Sequence, residues 1–279
     1  MTRWLLGLLL LLVALTSSLA RADPLGRLPG EVRRFLDHLP TPPAGQRLIA
    51  VFDHDRTVVR PDLGEQFMKW MLRKRHFPRQ GQQALQRAWR RHQQGRLEDL
   101  ELFKLAVTAM AGLKESRVRE LAARYYRLGF GGFEGQIFAP QRALIEELQR
   151  RGVEVYLVSA SSPWLIEESA KRLGVPAGRV IAMTAEVDAS GRLTRELTPP
   201  LPWKEGKVDA IRARGLTARG PIILAAGDSA GDLRMLELPA ASGGLSLAVN
   251  PQQTPRVARA AREHGWASVQ LGPADLLRP

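Results

Sequence analysis

The sequence predicts an α/β protein: a doubly wound parallel sheet with an all-helical insertion directly after its first strand. Two observations carry that expectation. Beyond residue 135, short β-branched and apolar runs alternate with segments of helical periodicity, as in a parallel sheet covered by helices. Between Leu63 and about Leu128, apolar residues instead recur at three- and four-residue spacing with no strand-like alternation.

Taken in order, residues 1–22 have the form of a targeting segment. Arg3 is a positive flank, Trp4–Leu15 is continuously apolar, and Ala20-Arg21-Ala22 is a small–x–small pattern before Asp23. This reads as a secretory signal peptide cleaved after Ala22. The alternative is an uncleaved anchor, but the run is shorter than the roughly 20 residues of a comfortable span. No later stretch approaches that length, so the expectation is a periplasmic or secreted protein with no integral membrane segment after cleavage. The chain has no cysteine, which excludes disulfides, a thiol nucleophile and thiolate metal sites.

Residues 23–46 form a lead-in with one short helix near Glu31–His38, and Leu48–Phe52 suits a strand buried on both faces. The insertion, about four helices interrupted near Pro78 and Gly112, ends in the Gly-rich joint Gly129–Gly135. The expected division is therefore a core of 23–62 and 135–279 with a helical insertion of 63–134. Within the second core segment, strands are expected at Val153–Val158, Arg179–Val187, Ile222–Ala226, Leu245–Val249 and Ala267–Leu271. Helices are expected at Arg142–Arg151, Pro163–Leu173, Lys207–Arg214 and Thr254–Glu263, with a further one starting at Asp232. The turn Asp188–Gly191 leads into a hairpin strand at Arg192–Leu197.

Net charge is +13, and loss of Arg3 and Arg21 with residues 1–22 lowers it to +11. The stretch from Gln66 to Leu97 holds nine Lys/Arg and no acid. That suits either an anionic partner or a solvated helix face, with nucleic acid the less expected partner.

Three buried-looking strands end in polar residues. The first ends in Asp53-His54-Asp55, the second in Ser159, and a later one runs into Gly227-Asp228 with Asp232 four residues on; Lys207 sits at a helix start between the last two. In a parallel sheet such ends converge in one crevice. Clustered carboxylates repel unless a cation sits among them, and a hard divalent ion, Mg²⁺, suits oxygen ligands beside a phosphate. Asp53 and Asp228 are then side-chain ligands, with Asp55 contributing its backbone carbonyl. A carboxylate there can attack phosphorus, Asp55 can exchange a proton with the leaving oxygen and with water, and Ser159 with the backbone N–H of Ala160 can hold phosphoryl oxygens. Each part alone has a plainer reading: Asp-x-Asp as a charged turn, Ser159 as a cap, the aspartates of "GDSAGD" as helix caps. The ordered conjunction points to phosphoryl transfer.

The series Asp53-x-Asp55-x-Thr57, Ser159, Lys207, then Gly227-Asp228-Ser229-x-x-Asp232 resembles the four signature motifs of the haloacid dehalogenase-like hydrolase superfamily, on its phosphoserine phosphatase side. The resemblance implies a Rossmann-like core and a helical cap. By matching position it also implies Asp53 as nucleophile, Asp55 as general acid/base, Ser159 and Lys207 as phosphoryl ligands, Asp228 as metal ligand, and Asp232 and Thr57 in support. The second aspartate argues against dehalogenation. "PDLGEQ", "VSASSPWLIEESA", "PWKEGKVDAI" and "GDSAGDLRML" are more loosely similar to exported phosphorylcholine phosphatases, which makes Asp62 and Glu65 candidates for substrate selection. A helix-dipole charge and a surface ion pair are the plainer readings of Glu65.

The expectation is an Mg²⁺-dependent phosphomonoesterase acting on a small phosphorylated substrate, phosphocholine- or phosphoserine-like. The rivals are transfer to an alcohol acceptor through the same intermediate, and a non-catalytic phosphate-ligand or envelope binder. Arg56 departs from the family pattern, where a small residue is usual; it either points to solvent or meets the substrate phosphate. His54 either positions the leaving group or is simply packed or solvent-facing.

Overall fold

The computed structural model describes residues 23–128 and 133–277, so the expected signal peptide and part of the Gly-rich joint lie outside the described residues. The strands are β1 (Ile49–Asp53), β2 (Glu154–Ser159), β3 (Val180–Ala182), β4 (Ala185–Val187), β5 (Leu193–Leu197), β6 (Ile222–Gly227), β7 (Leu245–Val249) and β8 (Ala267–Val269). Six form one sheet in the order β3-β2-β1-β6-β7-β8, every pairing parallel. The helices are α1 (Gly30–Asp37), α2 (Leu63–Arg73), α3 (Arg79–Gln93), α4 (Asp99–Thr108), α5 (Glu115–Leu128), α6 (Ala139–Arg150), α7 (Pro163–Arg172), α8 (Glu205–Ala213), α9 (Leu216–Arg219), α10 (Leu233–Leu236) and α11 (Pro255–His264).

β1 lies at the centre of the sheet and is buried throughout, as its unbroken apolar run requires. Side chains on a strand alternate faces. Ala50 and Phe52 join the larger core with Leu144, Leu148, Trp164 and Leu165, while Ile49 and Val51 join a second core with Ala210, Ile211 and Met235. Helices therefore cover both faces.

Helices α2 to α5 follow β1 in the chain. Gly64, in the first turn of α2, sits so close to the segment after β2 that a Cβ there would meet Ser161 Oγ at 2.1 Å. Glycine permits that approach, and it brings the start of the insertion against the carboxyl edge of the sheet.

Two expected strands are corrected. The run Arg179–Val187 is not one strand: β3 stops at Ala182, the Met183 N–H turns to the Ser161 carbonyl (3.1 Å), and the Thr184 hydroxyl donates back to the Ala182 carbonyl (3.0 Å). β4 then leaves the sheet and pairs antiparallel with β5. The Asp188 side chain holds their turn, accepting from the Ser190 and Arg192 N–H groups at 2.8 and 3.0 Å. This hairpin is bonded to the insertion, with Gly112 N–H to Leu193 O (2.8 Å), Leu193 N–H to Leu113 O (2.9 Å) and Arg195 to Gln80 (2.8 Å). The last strand ends at Val269 rather than Leu271, because the Leu271 N–H is taken by the Asn250 side chain at 2.7 Å. Among the described residues no helix is long and apolar enough to cross a membrane.

Candidate active site

β1 ends at Asp53, flanked in the sheet by β2 and β6, and the chain order reverses between those neighbours. Crevices form above the strand ends at such a point. The segment after β1 turns sharply: the Val58 and Val59 N–H groups both return to the His54 carbonyl (2.9 and 3.2 Å), and Arg56 adopts a left-handed φ of 62°. The chain then reaches Asp62, whose side chain caps α2 by accepting from the Glu65 N–H at 2.9 Å.

Lys207 rises from the first turn of α8 into this crevice and is almost fully buried. Its Nζ donates to Asp53 Oδ1 (2.6 Å), Asp232 Oδ1 (2.5 Å) and the Val158 carbonyl (3.2 Å), so all three ammonium protons have acceptors. Asp232 is completed by the Ser229 N–H (2.9 Å), the Ser229 hydroxyl (2.7 Å) and the Asp228 N–H (3.3 Å), all on Oδ2. This turn needs glycine at 227, where a Cβ would lie 2.5 Å from the Asp232 Cβ. Burial alone lowers an amine's pKa, but the charges of Asp232 and Asp53 outweigh it and hold Lys207 protonated.

Asp53 and Asp55 lie one residue apart in opposite environments. Burial and the Asp232 charge push Asp53 up to about 6, against the pull of Lys207. Burial acts upward on Asp55 too, yet hydrogen bonds and the charge of His54 bring it down to about 2. Its Oδ1 accepts from the Leu63 N–H (2.7 Å) and His54 Nδ1 (3.3 Å), and its Oδ2 from the hydroxyls of Ser161 (2.7 Å) and Ser159 (3.2 Å).

Burial, then the charges of Asp53 and Asp232, raise Asp228 to about 8. It accepts from the Thr57 hydroxyl on Oδ1 and meets Arg56 Nε on Oδ2, both at 3.3 Å. Arg56 therefore does not simply point to solvent: its half-exposed side chain returns over Asp228, made possible by the left-handed backbone. Carboxylate oxygens of Asp53, Asp228 and Asp232 lie within 4.8 Å of one another. Asp232 is committed to Lys207 and to backbone donors, whereas Asp53 Oδ2 and Asp228 Oδ1 bear no cationic partner among the described residues. Two buried carboxylates that resist ionising together are a donor set fitted to a hard divalent ion.

The sequence-expected residues Asp53, Asp55, Asp62, Ser159, Ala160, Lys207 and Asp228 line one cleft, joined by Arg56, Ser161, Phe103 and Trp203. Thr57 and Asp232 lie behind it, buried. Glu65 stands apart from this set, in a neighbouring cavity under the insertion that shares Phe103, Ala160 and Ser161 with the cleft. Sequence reasoning missed Ser161, although "SASS" offered a second hydroxyl two residues on. It also missed Phe103 and Trp203, whose rings meet edge-to-face at 5.2 Å; nothing local distinguishes Phe103 from a core aromatic.

A buried lysine among carboxylates at the ends of parallel strands, beside serine hydroxyls bonded to a second aspartate, is the arrangement of a hydrolytic site in an α/β enzyme. A family profile described as haloacid dehalogenase-like hydrolase matches residues 50–237, and the chain belongs to that family. A histidinol-phosphatase from Neisseria meningitidis serogroup C (strain 8013) is 24% identical over 229 residues, covering 78% of this chain and 96% of its own. Among solved structures, a Bordetella pertussis Tohama I protein of unknown function superposes with a TM-score of 0.63 at 19% identity, over 80% of this chain and 98% of that one. A substrate-bound phosphoserine phosphatase superposes with a TM-score of 0.52 at 16% identity, over 80% and 93%. The fold is thus shared with a phosphoserine phosphatase, and the chain is a hydrolase of the haloacid dehalogenase-like family.

Replacing Lys207 by Met leaves Asp53 and Asp232 buried without their cation. Removing one partner of a buried ion pair costs about 3–5 kcal/mol, so Lys207→Met should unfold at much lower urea. A midpoint close to wild type would contradict the central role given to this ammonium.

Proposed function

We propose that this protein hydrolyses the phosphate monoester of a small amino alcohol, with Asp53 as nucleophile, Asp55 as acid/base and Mg²⁺ as cofactor, after export and loss of residues 1–22. The observation that carries the reading is the separation of the two aspartates, Asp53 beside Lys207 and Asp55 in a shell of backbone, hydroxyl and imidazole donors. Asp53 and Asp228 would hold the metal, which when bound neutralises phosphate charge. The Asp53 carboxylate attacks phosphorus, the phosphorus–oxygen bond to the alcohol breaks, and the departing oxygen takes a proton from Asp55. Water then attacks the phospho-aspartate while Asp55 takes its proton back. Without substrate Asp55 is ionised; a phosphate dianion beside it is the charge that raises its proton affinity. Ser159 and the Ala160 N–H would hold phosphoryl oxygens, and Lys207 would steady Asp53. Transfer to an alcohol acceptor would use the same groups, and no observation favours it over hydrolysis.

The cavity beside the cleft supports the amino-alcohol reading. It is lined by Phe67, Met68, Met71, Phe77, Leu102 and Met110 among others, and Glu65 is its one charged side chain among the described residues. Glu65 pairs with Lys69, which does not line the cavity. A leaving group with a free carboxylate would meet apolar walls and the Glu65 carboxylate, whereas a methylated or protonated amine would suit both once it displaced Lys69 from Glu65 and widened a cavity of about 30 Å³. That favours phosphocholine-like over phosphoserine-like substrates, and the histidinol-phosphatase relative agrees in kind.

Phosphate release from phosphocholine, phosphoethanolamine, histidinol phosphate and phosphoserine, with and without Mg²⁺, tests the reading. The three amino-alcohol esters should exceed phosphoserine, and Asp53→Asn should lose about 10³-fold or more, on the order of 4 kcal/mol of barrier. Phosphoserine as best substrate, or an active Asp53→Asn, would contradict it.

The metal assignment has its own test. Asp53 and Asp228 have folded pKa values of about 6 and about 8, against 3.8 for an ordinary aspartate. Between those limits the folded chain binds more protons than the unfolded one, so their contribution to stability is present at low pH and lost as pH rises through the folded values. Mg²⁺ should therefore raise Tm more at about pH 8.5 than at about pH 5, and Asp228→Asn should remove the difference. An equal rise at both pH values would count against this site.

A further inference from the structure

We propose that His54 is a positioning residue for Asp55, holding the plane of its carboxylate from behind so that Oδ2 faces the leaving oxygen. The inference rests on the reading of Asp55 as the acid. His54 and Ser169 are both fully buried, although nothing in the chemistry proposed above uses either. The ring sits between the two: Nδ1 lies 3.3 Å from Asp55 Oδ1, and Nε2 lies 2.8 Å from Ser169 Oγ on α7. A carboxylate only accepts, so Nδ1 carries the proton of that contact, and the Ser169 hydroxyl serves the other nitrogen and fixes the ring plane. If packing were the sole demand at position 54, an apolar ring would meet it without burying two nitrogens.

The donors on Asp55 are divided. Oδ1 is held by fixed groups, the Leu63 N–H and the His54 ring. Oδ2 is held by the Ser159 and Ser161 hydroxyls, which rotate freely enough to exchange partners when a phosphate enters. Proton transfer therefore belongs to Oδ2: the oxygen–hydrogen bond on Oδ2 breaks as the alcohol oxygen gains the proton and its bond to phosphorus is lost. His54 moves no proton. It keeps the carboxylate aligned before and after the transfer, which geometry-sensitive acid catalysis requires.

The test compares kcat/KM, which reports steps through leaving-group departure, for n-butyl phosphate and p-nitrophenyl phosphate. An alkoxide needs the proton; p-nitrophenolate leaves without one. His54→Phe should lower kcat/KM about 10²-fold for the alkyl ester and less than about 5-fold for the aryl ester, within the usual size of an acid-catalysis effect. His54→Asn, whose amide nitrogen falls near the Nδ1 position, should restore most alkyl-ester activity. Ser169→Ala should show a smaller loss with the same alkyl-over-aryl bias, and serves if His54→Phe does not fold. Equal losses on both esters in Ser169→Ala or His54→Phe, or no recovery in His54→Asn, overturn the proposal while leaving the phosphatase reading intact. A wild-type chain that releases phosphate neither from these two esters nor from phosphocholine, phosphoethanolamine or histidinol phosphate overturns both.

Discussion

The contact on which the site depends is the one between the Lys207 ammonium and the carboxylates of Asp53 and Asp232, with the Val158 carbonyl as its third acceptor. Four separate pieces of chain meet there: the ends of β1 and β2, the first turn of α8, and the turn after β6. Carboxylates so close and so buried would repel and draw protons, and the rise of Asp53 and Asp228 toward neutral pH records that pressure even with the lysine in place. One cation for three acids leaves the cluster short of positive charge, and Arg56, returning over Asp228 from a left-handed turn, supplies only a half-exposed share. That residual deficit is the physical reason a divalent ion suits the site.

Around this centre, close approaches decide shape. The bare Cα of Gly64 lets α2 start against Ser161, and that of Gly227 lets the loop after β6 fold Asp232 back under the strand. The β4–β5 hairpin departs from the core and bonds to the insertion at Gly112 and Leu113, so the insertion is held from two directions. Phe103 from α4 then meets Trp203 from the segment before α8, and the cleft acquires an aromatic wall with one ring from each side. The neighbouring apolar cavity, with the Lys69-paired Glu65 in its wall, is a product of the same arrangement.

The two aspartates that end β1 illustrate how environment divides labour between identical groups. Asp53 has a cationic partner but acidic neighbours; Asp55 has backbone, hydroxyl and imidazole donors and the lower proton affinity. An extended segment projects successive side chains to opposite sides. The two aspartates of Asp-x-Asp, at alternate positions, therefore enter the crevice together, while the intervening His54 turns into the protein toward Ser169.

Much of this was legible in the amino-acid order alone. The parallel core, the four-helix insertion and the candidate residues Asp53, Asp55, Ser159, Lys207 and Asp228 followed from strand–helix alternation and polar residues at strand ends, because those patterns reflect local periodicity and chain-end chemistry. What the order could not supply depended on distance through space. That Arg56 folds over Asp228, that His54 reaches a serine on α7, that Ser161 joins Ser159 on one oxygen, and that β4 abandons the sheet for β5 are all contacts between segments or choices among competing hydrogen-bond partners. Sequence determined which groups are present and where along each strand they fall; tertiary structure decided which of them touch, because burial and approach distance exist only once the strands are side by side.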